Sequence, residues 1–165
     1  MIDVETTIDP QWDRATDWDA LAGHAVMAAI AIARPEFATS AGALEVSVKF
    51  ADDGEVAGFN KAYRGKEGPT NVLSFPMWRG EQLAALGDRD ELLGDLVLAA
   101  GVCAREAAER GIPVTDHARH LVVHGTLHLL GHDHGEDDEA ARMEALEVSA
   151  LRDLGVADPY LVTES

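Results

Sequence analysis

Four of the chain's seven histidines lie within eleven consecutive residues, HGTLHLLGHDH at positions 124–134. His124 and His128 are four residues apart, so one helix would carry both imidazoles on the same face, one turn apart. Gly131 is suited to end that helix, because glycine readily adopts the left-handed backbone that reverses a chain. The reversed chain can bring His134 back to the same point. This spacing predicts a metal site whose ligands are His124, His128 and His134.

The predicted ligands also indicate the metal. Three imidazoles can hold one zinc ion and leave its fourth tetrahedral position to water, which is typical of catalytic rather than structural zinc. We therefore expect one Zn²⁺ per chain. His120 either lines the site or is an ordinary hydrogen-bonded helix residue, and Asp133 either orients a ligand imidazole or caps the turn. His117 and His132 are expected to be exposed.

The residue after the first histidine separates two classes of zinc enzyme. The metzincin proteases share this spacing in the pattern H-E-x-x-H-x-x-G-x-x-H, where the glutamate is the general base that activates water. Here that position is Gly125, which can neither take up a proton nor stabilise one. Peptide hydrolysis by the protease route is therefore disfavoured.

The charge distribution is uneven. With 13 basic and 30 acidic residues the formal net charge is −17, which argues against a general nucleic-acid binder. The segment 61–80 is the exception, because it holds four basic residues and a single acid, Glu67. The basic residues are Lys61, Arg64, Lys66 and Arg79. This basic segment is either a chance cluster on a solvated loop or a surface for phosphate.

The elements that would position these residues follow from hydrophobic periodicity. The stretch 44–50, LEVSVKF, alternates apolar and polar residues as a half-exposed strand does. Further strands are predicted at 2–4, 71–77 and 93–99, and helices at 18–32, 55–63, 100–110, 116–131 and 138–154. Thr16 with Asp19 should cap the first helix, and Thr115 or Asp116 the helix that carries the histidines. We expect one compact α+β domain over residues 1–165, with that helix buried at its centre.

Composition points to a cytoplasmic protein without a membrane partner. No apolar run approaches the roughly 20 residues of a membrane span. The first ten residues, MIDVETTIDP, lack the basic and apolar regions of a secretory signal. The lone Cys103 cannot form an internal disulfide, which suits a reducing compartment, and it is expected to be buried.

Three blocks of the sequence resemble the signatures of the YbeY family of zinc-dependent endoribonucleases. HGTLHLLGHDH is similar to the family's H-G-x-L-H-L-x-G-[aromatic or His]-D-H. NKAYRGKEGPTNVLSFP, at 60–76, resembles its second signature, N-x-x-y-R-x-x-x-x-p-T-[D]-V-L-S-F-P, and LGDLVLA, at 93–99, its third, G-D-I-v-i. The resemblance covers roughly residues 44–155 and keeps the order and spacing of the blocks. One departure is Asn71, where the family commonly has aspartate.

The resemblance implies roles for particular residues. His124, His128 and His134 would hold the zinc ion, and Arg64 would be the family's functionally important arginine. Arg64 and His124 are thus the expected catalytic residues, and Arg64 lies in the basic segment, whose Lys61 and Lys66 we expect to help bind RNA. A guanidinium can hold a phosphodiester through two hydrogen bonds and offset charge that develops on it. The alternative for Arg64 is a surface ion pair with Glu67.

The resemblance also implies a fold and a cellular role. The fold would be zincin-like, with a mixed four-stranded sheet packed with helices. The activity would be a single-strand-preferring endoribonuclease that matures ribosomal RNA at the 3′ end of the 16S species and serves ribosome quality control. Its partners would be the 16S precursor and the small ribosomal subunit, with no DNA partner. Two rival hypotheses are another metal hydrolase, including a protease, and a non-catalytic assembly factor with structural zinc.

Overall fold

A computed structural model of the protein describes residues 1–133 and 135–161. These residues form a single-domain α+β fold with four strands, as the sequence predicts, and with seven helices where the sequence indicates five. The strands are β1 (Ile2–Ile8), β2 (Leu44–Ala51), β3 (Val72–Pro76) and β4 (Glu91–Ala99). The helices are α1 (Trp18–Ala33), α2 (Pro35–Ala38), α3 (Asp53–Arg64), α4 (Glu81–Ala84), α5 (Ala100–Arg110), α6 (Val114–Leu129) and α7 (Asp137–Asp153).

The four strands form one mixed sheet in the order β1-β2-β4-β3. β1, β2 and β4 run parallel to one another, and β3 runs antiparallel to β4 at one edge. The alternation of β2 is confirmed, because Leu44, Val46, Val48 and Phe50 are fully buried while the residues between them are half-buried. The sheet therefore packs its larger core on one face and leaves a second, partly covered face under α3.

Helix α6 is the central helix, in contact with α1, α5 and α7 on one side and with β3 and β4 on the other. Its close approach to the sheet requires a residue without a side chain at Gly125. A β-carbon there would lie 2.7 Å from a Leu96 methyl carbon and 3.2 Å from Ser74 Oγ, which is too close for undisturbed packing. The helix that carries the histidines is thus held directly against β3 and β4.

The sequence expectations about the caps of two helices were wrong. Asp17, not Thr16, caps α1 by accepting a hydrogen bond from the Ala20 amide at 3.0 Å. Helix α6 begins at Val114 with Pro113 before it, so neither Thr115 nor Asp116 is its cap. Asp17 and Pro113 both suit a helix start. A carboxylate can accept a hydrogen bond from an amide that has no partner in the first turn, and proline has no amide hydrogen that needs a partner.

Two smaller observations complete the fold. Cys103 is fully buried as expected, and burial together with the nearby Glu106 charge raises the pKa of its thiol to about 12. Across residues 1–133 and 135–161, no helix is both long and apolar enough to cross a membrane.

Candidate metal centre and its cleft

Helix α6 places His120, His124 and His128 one turn apart on one face. The Nε2 atoms of His124 and His128 are 3.1 Å apart, and their rings are nearly perpendicular, at 80°. Two nitrogens that each bind a tetrahedral zinc ion at about 2.0–2.1 Å lie roughly 3.3 Å from each other. The two predicted ligands that the structure describes therefore fit zinc by chemistry and by spacing. His134, the third predicted ligand, lies outside the described residues.

The orientation of His124 is set by a carboxylate on α7. Glu147 is 1% exposed, and its Oε1 accepts a hydrogen bond from His124 Nδ1 at 2.6 Å. Because the ionised carboxylate can only accept, the proton of a neutral His124 lies on Nδ1 and the lone pair lies on Nε2. That lone pair faces His128. A carboxylate behind a metal-binding imidazole is a common arrangement at zinc sites.

Glu147 binds two further groups through its other oxygen. Oε2 accepts hydrogen bonds from His120 Nε2, at 2.8 Å, and from the hydroxyl of Tyr160. Burial by itself raises the pKa of Glu147, but the hydrogen bonds from His120 and His124 lower it to about 2, so the carboxylate is charged at neutral pH. Burial and the Glu147 charge raise the pKa of Tyr160, which keeps its hydroxyl protonated and able to donate. His120 is thus a hydrogen-bonded partner of Glu147.

His120, His124 and Glu147 also form a group that could itself hold a metal ion, since their ligand atoms all lie within 4.8 Å of one another. This group and the His124–His128 pair share His124 but use its two different nitrogens. The carboxylate in the group already accepts three hydrogen bonds, whereas the Nε2 atoms of the pair lie 3.1 Å apart in two residues that line the cleft. His124 and His128, and neither His120 nor Glu147, appear in the described lining of the large cleft.

That cleft has a volume of about 910 Å³ and runs between α6, β3 and the end of α3. Arg64 and Arg79 from the basic segment line it together with the two histidines. Lys61 and Lys66 are exposed and lie outside the described lining. Two of the four predicted basic residues therefore line the cleft of the candidate metal centre, and the other two lie on the surface outside its described lining.

Arg64 is placed by the turn that ends α3. Gly65 adopts the left-handed conformation at φ 64°, and its amide donates to Lys61 O at 3.1 Å. The buried Asn60 donates from Nδ2 to Gly68 O at 2.9 Å, which ties the following loop to the helix. The alternative for Arg64 was an ion pair with Glu67, but Glu67 pairs with Lys61 instead, at 3.7 Å. In residues 1–133 and 135–161, no ion pair holds the Arg64 guanidinium.

Asn71, the departure from the family pattern, has a carboxylate partner. Its Nδ2 donates to Glu106 Oε1 at 3.0 Å, and the same oxygen accepts from His117 Nε2 at 2.8 Å. An aspartate at 71 would place a second negative charge against Glu106, whereas the amide can donate.

His117 is 1% exposed, so the expectation that it is exposed was wrong, and burial lowers its pKa. His132 is half-buried and lines the cleft.

Sequence reasoning did not single out Glu147, Tyr160 or Glu106. A signal for Glu147 was present, because it falls at helical spacing among inward residues of α7, between Met143 and Ala150. A charged residue on the apolar face of a helix is rarely buried without a partner, so the position of Glu147 predicts a hydrogen-bonding or charged partner. No comparable pattern marks Glu106 or Tyr160, whose partners come from other elements.

The chain is similar to known proteins over almost its whole length. A model of the family described as Endoribonuclease YbeY matches residues 10–155. The protein named Endoribonuclease YbeY in Rhizorhabdus wittichii is 51% identical over 168 residues, which cover 99% of each chain. The one in Novosphingobium aromaticivorans is 53% identical over 166 residues, or 98% of this chain and 97% of its own. A solution structure of TM1509 from Thermotoga maritima shares the fold, with a TM-score of 0.56 and 19% identity over 98% of this chain and 100% of that one.

Proposed function

The chain belongs to the Endoribonuclease YbeY family, and from that premise we propose that it is a single-strand-preferring, zinc-dependent endoribonuclease. Its substrate is the precursor of 16S ribosomal RNA, cut at the 3′ end on the small ribosomal subunit in the cytoplasm, and it serves ribosome quality control. Residues 1–165 act as one ribonuclease domain. The observation that carries the proposal is the pair of imidazole Nε2 atoms 3.1 Å apart in a cleft that Arg64 also lines.

We propose His124, His128 and His134 as the ligands of one zinc ion. The facing Nε2 atoms support the first two, and the spacing in HGTLHLLGHDH supports His134. The competing set with His120 and Glu147 is disfavoured, because Glu147 already accepts hydrogen bonds from both histidines and from Tyr160. Glu147 then keeps the His124 proton on Nδ1. Zinc in such a site supplies a Lewis acid and lowers the pKa of water to near neutrality.

Arg64 would hold the phosphodiester of the substrate. Its guanidinium lines the cleft, and no described ion pair competes for it. Two parallel hydrogen bonds to phosphate oxygens would position the scissile bond and offset the charge that develops in the transition state. Arg79 lines the same cleft and can contact a neighbouring phosphate. Lys61 and Lys66, on the surface beside it, would bind the RNA backbone beyond the cleft.

The protease hypothesis is disfavoured by the packing of Gly125 as well as by its chemistry. A protease needs a glutamate that reaches the metal from this position. A side chain at 125 would instead project towards Leu96 and Ser74 in the sheet. The hypothesis of a non-catalytic assembly factor with structural zinc is disfavoured by the size of the cleft, about 910 Å³, and by the two arginines in it.

Single-turnover cleavage tests the proposal. The substrates are an RNA that spans the 16S precursor 3′ end, its double-stranded form, DNA of the same sequence, and casein as a protease control. We expect cleavage of the single-stranded RNA alone, lost with a chelator and restored by zinc. Cyclic 2′,3′-phosphate and 5′-hydroxyl ends would identify the RNA's 2′-hydroxyl as the nucleophile, whereas 3′-hydroxyl and 5′-phosphate ends would identify water. Hydrolysis of casein with intact RNA would overturn the proposal.

A further inference from the structure

A second cavity, of about 360 Å³, lies on the α3 face of the sheet. Three aromatic residues form its apolar wall, Phe59 and Tyr63 from α3 and Phe75 from β3. Its polar lining comes from the neighbouring strands, with Ser47 and Lys49 from β2 and Asp95 from β4. Volumes of this order are typical of sites for small organic groups.

This cavity adjoins the cleft of the candidate metal centre. Tyr63 and Phe75 line both. Tyr63 precedes Arg64 in the chain and is 69% exposed, an unusual exposure for an aromatic side chain. Its ring is stacked against Phe59 at 28°, with centroids 6.1 Å apart, and meets Phe75 edge-on at 5.4 Å. The two rings beneath it keep Tyr63 in place while it remains open to solvent.

We propose that the second cavity, here called the base pocket, receives one unpaired nucleobase of the RNA whose phosphate lies at Arg64. The inference rests on the proposed function and adds a binding subsite to it. Aromatic faces bind unstacked bases by stacking, and proteins that bind single strands combine such faces with nearby cations. Here the aromatic faces and the cations belong to adjoining cavities, so one nucleotide can place its base in one and its phosphate in the other.

The polar lining fits the edge of a base better than it fits a phosphate. The Lys49 ammonium is ion-paired with Glu55, and Asp95 adds a negative charge, so the pocket offers no net positive charge to a phosphate. Ser47, Lys49 and Asp95 instead provide hydrogen-bond donors and an acceptor side by side, which is what base edges require. A base in a duplex cannot reach the pocket because it is stacked and paired. The pocket would therefore impose the preference for single strands.

A double-mutant cycle between protein and RNA tests the base pocket. Full-length, zinc-loaded protein cleaves a short single-stranded RNA in single-turnover assays, and the protein concentration for half-maximal rate is measured. The RNA is then replaced, one nucleotide at a time, by versions that lack a base at that nucleotide. The protein variants are Tyr63→Leu, which removes the ring, Tyr63→Phe, which keeps it, and Ser47→Leu, which fills the cavity from β2. Met27→Ala on α1 removes an exposed apolar side chain that lines neither cavity.

We expect Tyr63→Leu and Ser47→Leu to raise the half-maximal concentration at least about fivefold, Tyr63→Phe to raise it less than Tyr63→Leu because the ring remains, and Met27→Ala to leave it near wild type. At one nucleotide beside the cut, removal of the base should raise the half-maximal concentration of the wild type by a similar factor. The same removal should cause no further rise for Tyr63→Leu and Ser47→Leu. If the protein substitution and the removal of a base had additive effects on affinity at every nucleotide, while the wild type still cleaved RNA, the base pocket would be overturned and the proposed function would stand. Variants that bind RNA normally but lose affinity for unfolded polypeptide would overturn it in favour of a peptide site. No cleavage of RNA by the wild type would overturn both.

Discussion

At the scale of single residues, Glu147 determines which nitrogen of His124 faces the cleft. Glu147→Gln keeps the shape of the side chain, but its amide nitrogen cannot accept the His124 hydrogen bond and its oxygen is a weaker partner than a carboxylate. Loss of such a partner behind a ligand lowers metal affinity by about 10- to 100-fold. Competition with a coloured zinc chelator measures this, with the exposed Glu144→Gln on the same helix as the control. Equal affinities for the two variants would show that Glu147 has no role at the metal.

The proposed ligands give a second prediction at this scale. His128→Ala and His134→Ala should each lose most of the zinc, because each removes one of the three proposed protein ligands. Both should also melt at lower temperature than the zinc-loaded wild type, since metal that binds only the folded state stabilises it. His132→Ala, at a histidine that also lines the cleft, should keep its zinc. Mass spectrometry measures the zinc content of each variant. Full zinc occupancy in His134→Ala would show that His134 is not a ligand.

Substitution of Arg64 gives the third prediction at this scale. Arg64→Ala and Arg64→Lys should both lower RNA cleavage by about 100-fold or more, since a lysine cannot reproduce the two-pronged contact of a guanidinium. Zinc content and melting temperature should stay near wild type, because the side chain is exposed and no described ion pair holds it. Lys66→Ala, outside the described lining of the cleft, is the matched control and should lose far less. An Arg64 variant that melts early yet cleaves normally would indicate a structural role.

At the scale of elements, the contact between α6 and the sheet depends on Gly125. Gly125→Ala places a β-carbon 2.7 Å from Leu96, and overpacking of this kind costs about 1–3 kcal/mol, more than the ~1 kcal/mol gained by alanine in a helix. Gly23 offers a matched control, because it lies inside α1 and, apart from its chain neighbours and the nearby helix backbone, no atom lies within 4 Å of its β-carbon position. We expect Gly23→Ala to raise the free energy of unfolding and Gly125→Ala to lower it, as measured by urea unfolding. Equal effects of the two substitutions would contradict the close packing.

The elements also show how far sequence reasoning reaches. Helix α6 and strand β2 could be predicted because their evidence is local, in the spacing of His124 and His128 and in the alternation of LEVSVKF. The first cap was misassigned because Thr16 and Asp17 are neighbours with similar capping ability, and only the backbone decides between them. Glu147 could not be assigned to His124 because the pairing of α6 with α7 is a tertiary contact 23 residues apart.

At the scale of the whole molecule, RNA must approach a protein of net charge −17. Two cations line the cleft, Arg64 and Arg79, and two more, Lys61 and Lys66, lie beside it. Each phosphate contact to a single strand contributes about −0.7 to the slope of log affinity against log salt concentration, so two to four contacts predict a slope of about −1.4 to −2.8. The remaining acidic surface should oppose binding, and that effect has its own dependence on salt.

The far edge of the sheet allows this repulsion to be tested separately from the cleft. Asp3 and Glu5 are exposed on β1, three strand spacings or about 14 Å from β3. At 10 mM salt the Debye length is about 30 Å, so their charges reach RNA at the cleft, whereas at 150 mM it is about 8 Å and they are screened. Asp3→Asn with Glu5→Gln should therefore strengthen RNA binding about twofold at 10 mM and leave it unchanged at 150 mM. Arg79→Gln, in contrast, should weaken binding at both concentrations, because Arg79 lines the cleft and the contact proposed for it with a phosphate is direct. Fluorescence anisotropy of a labelled single-stranded RNA measures both variants, and a gain for the β1 variant that persists at 150 mM would place the RNA on β1 rather than at the cleft.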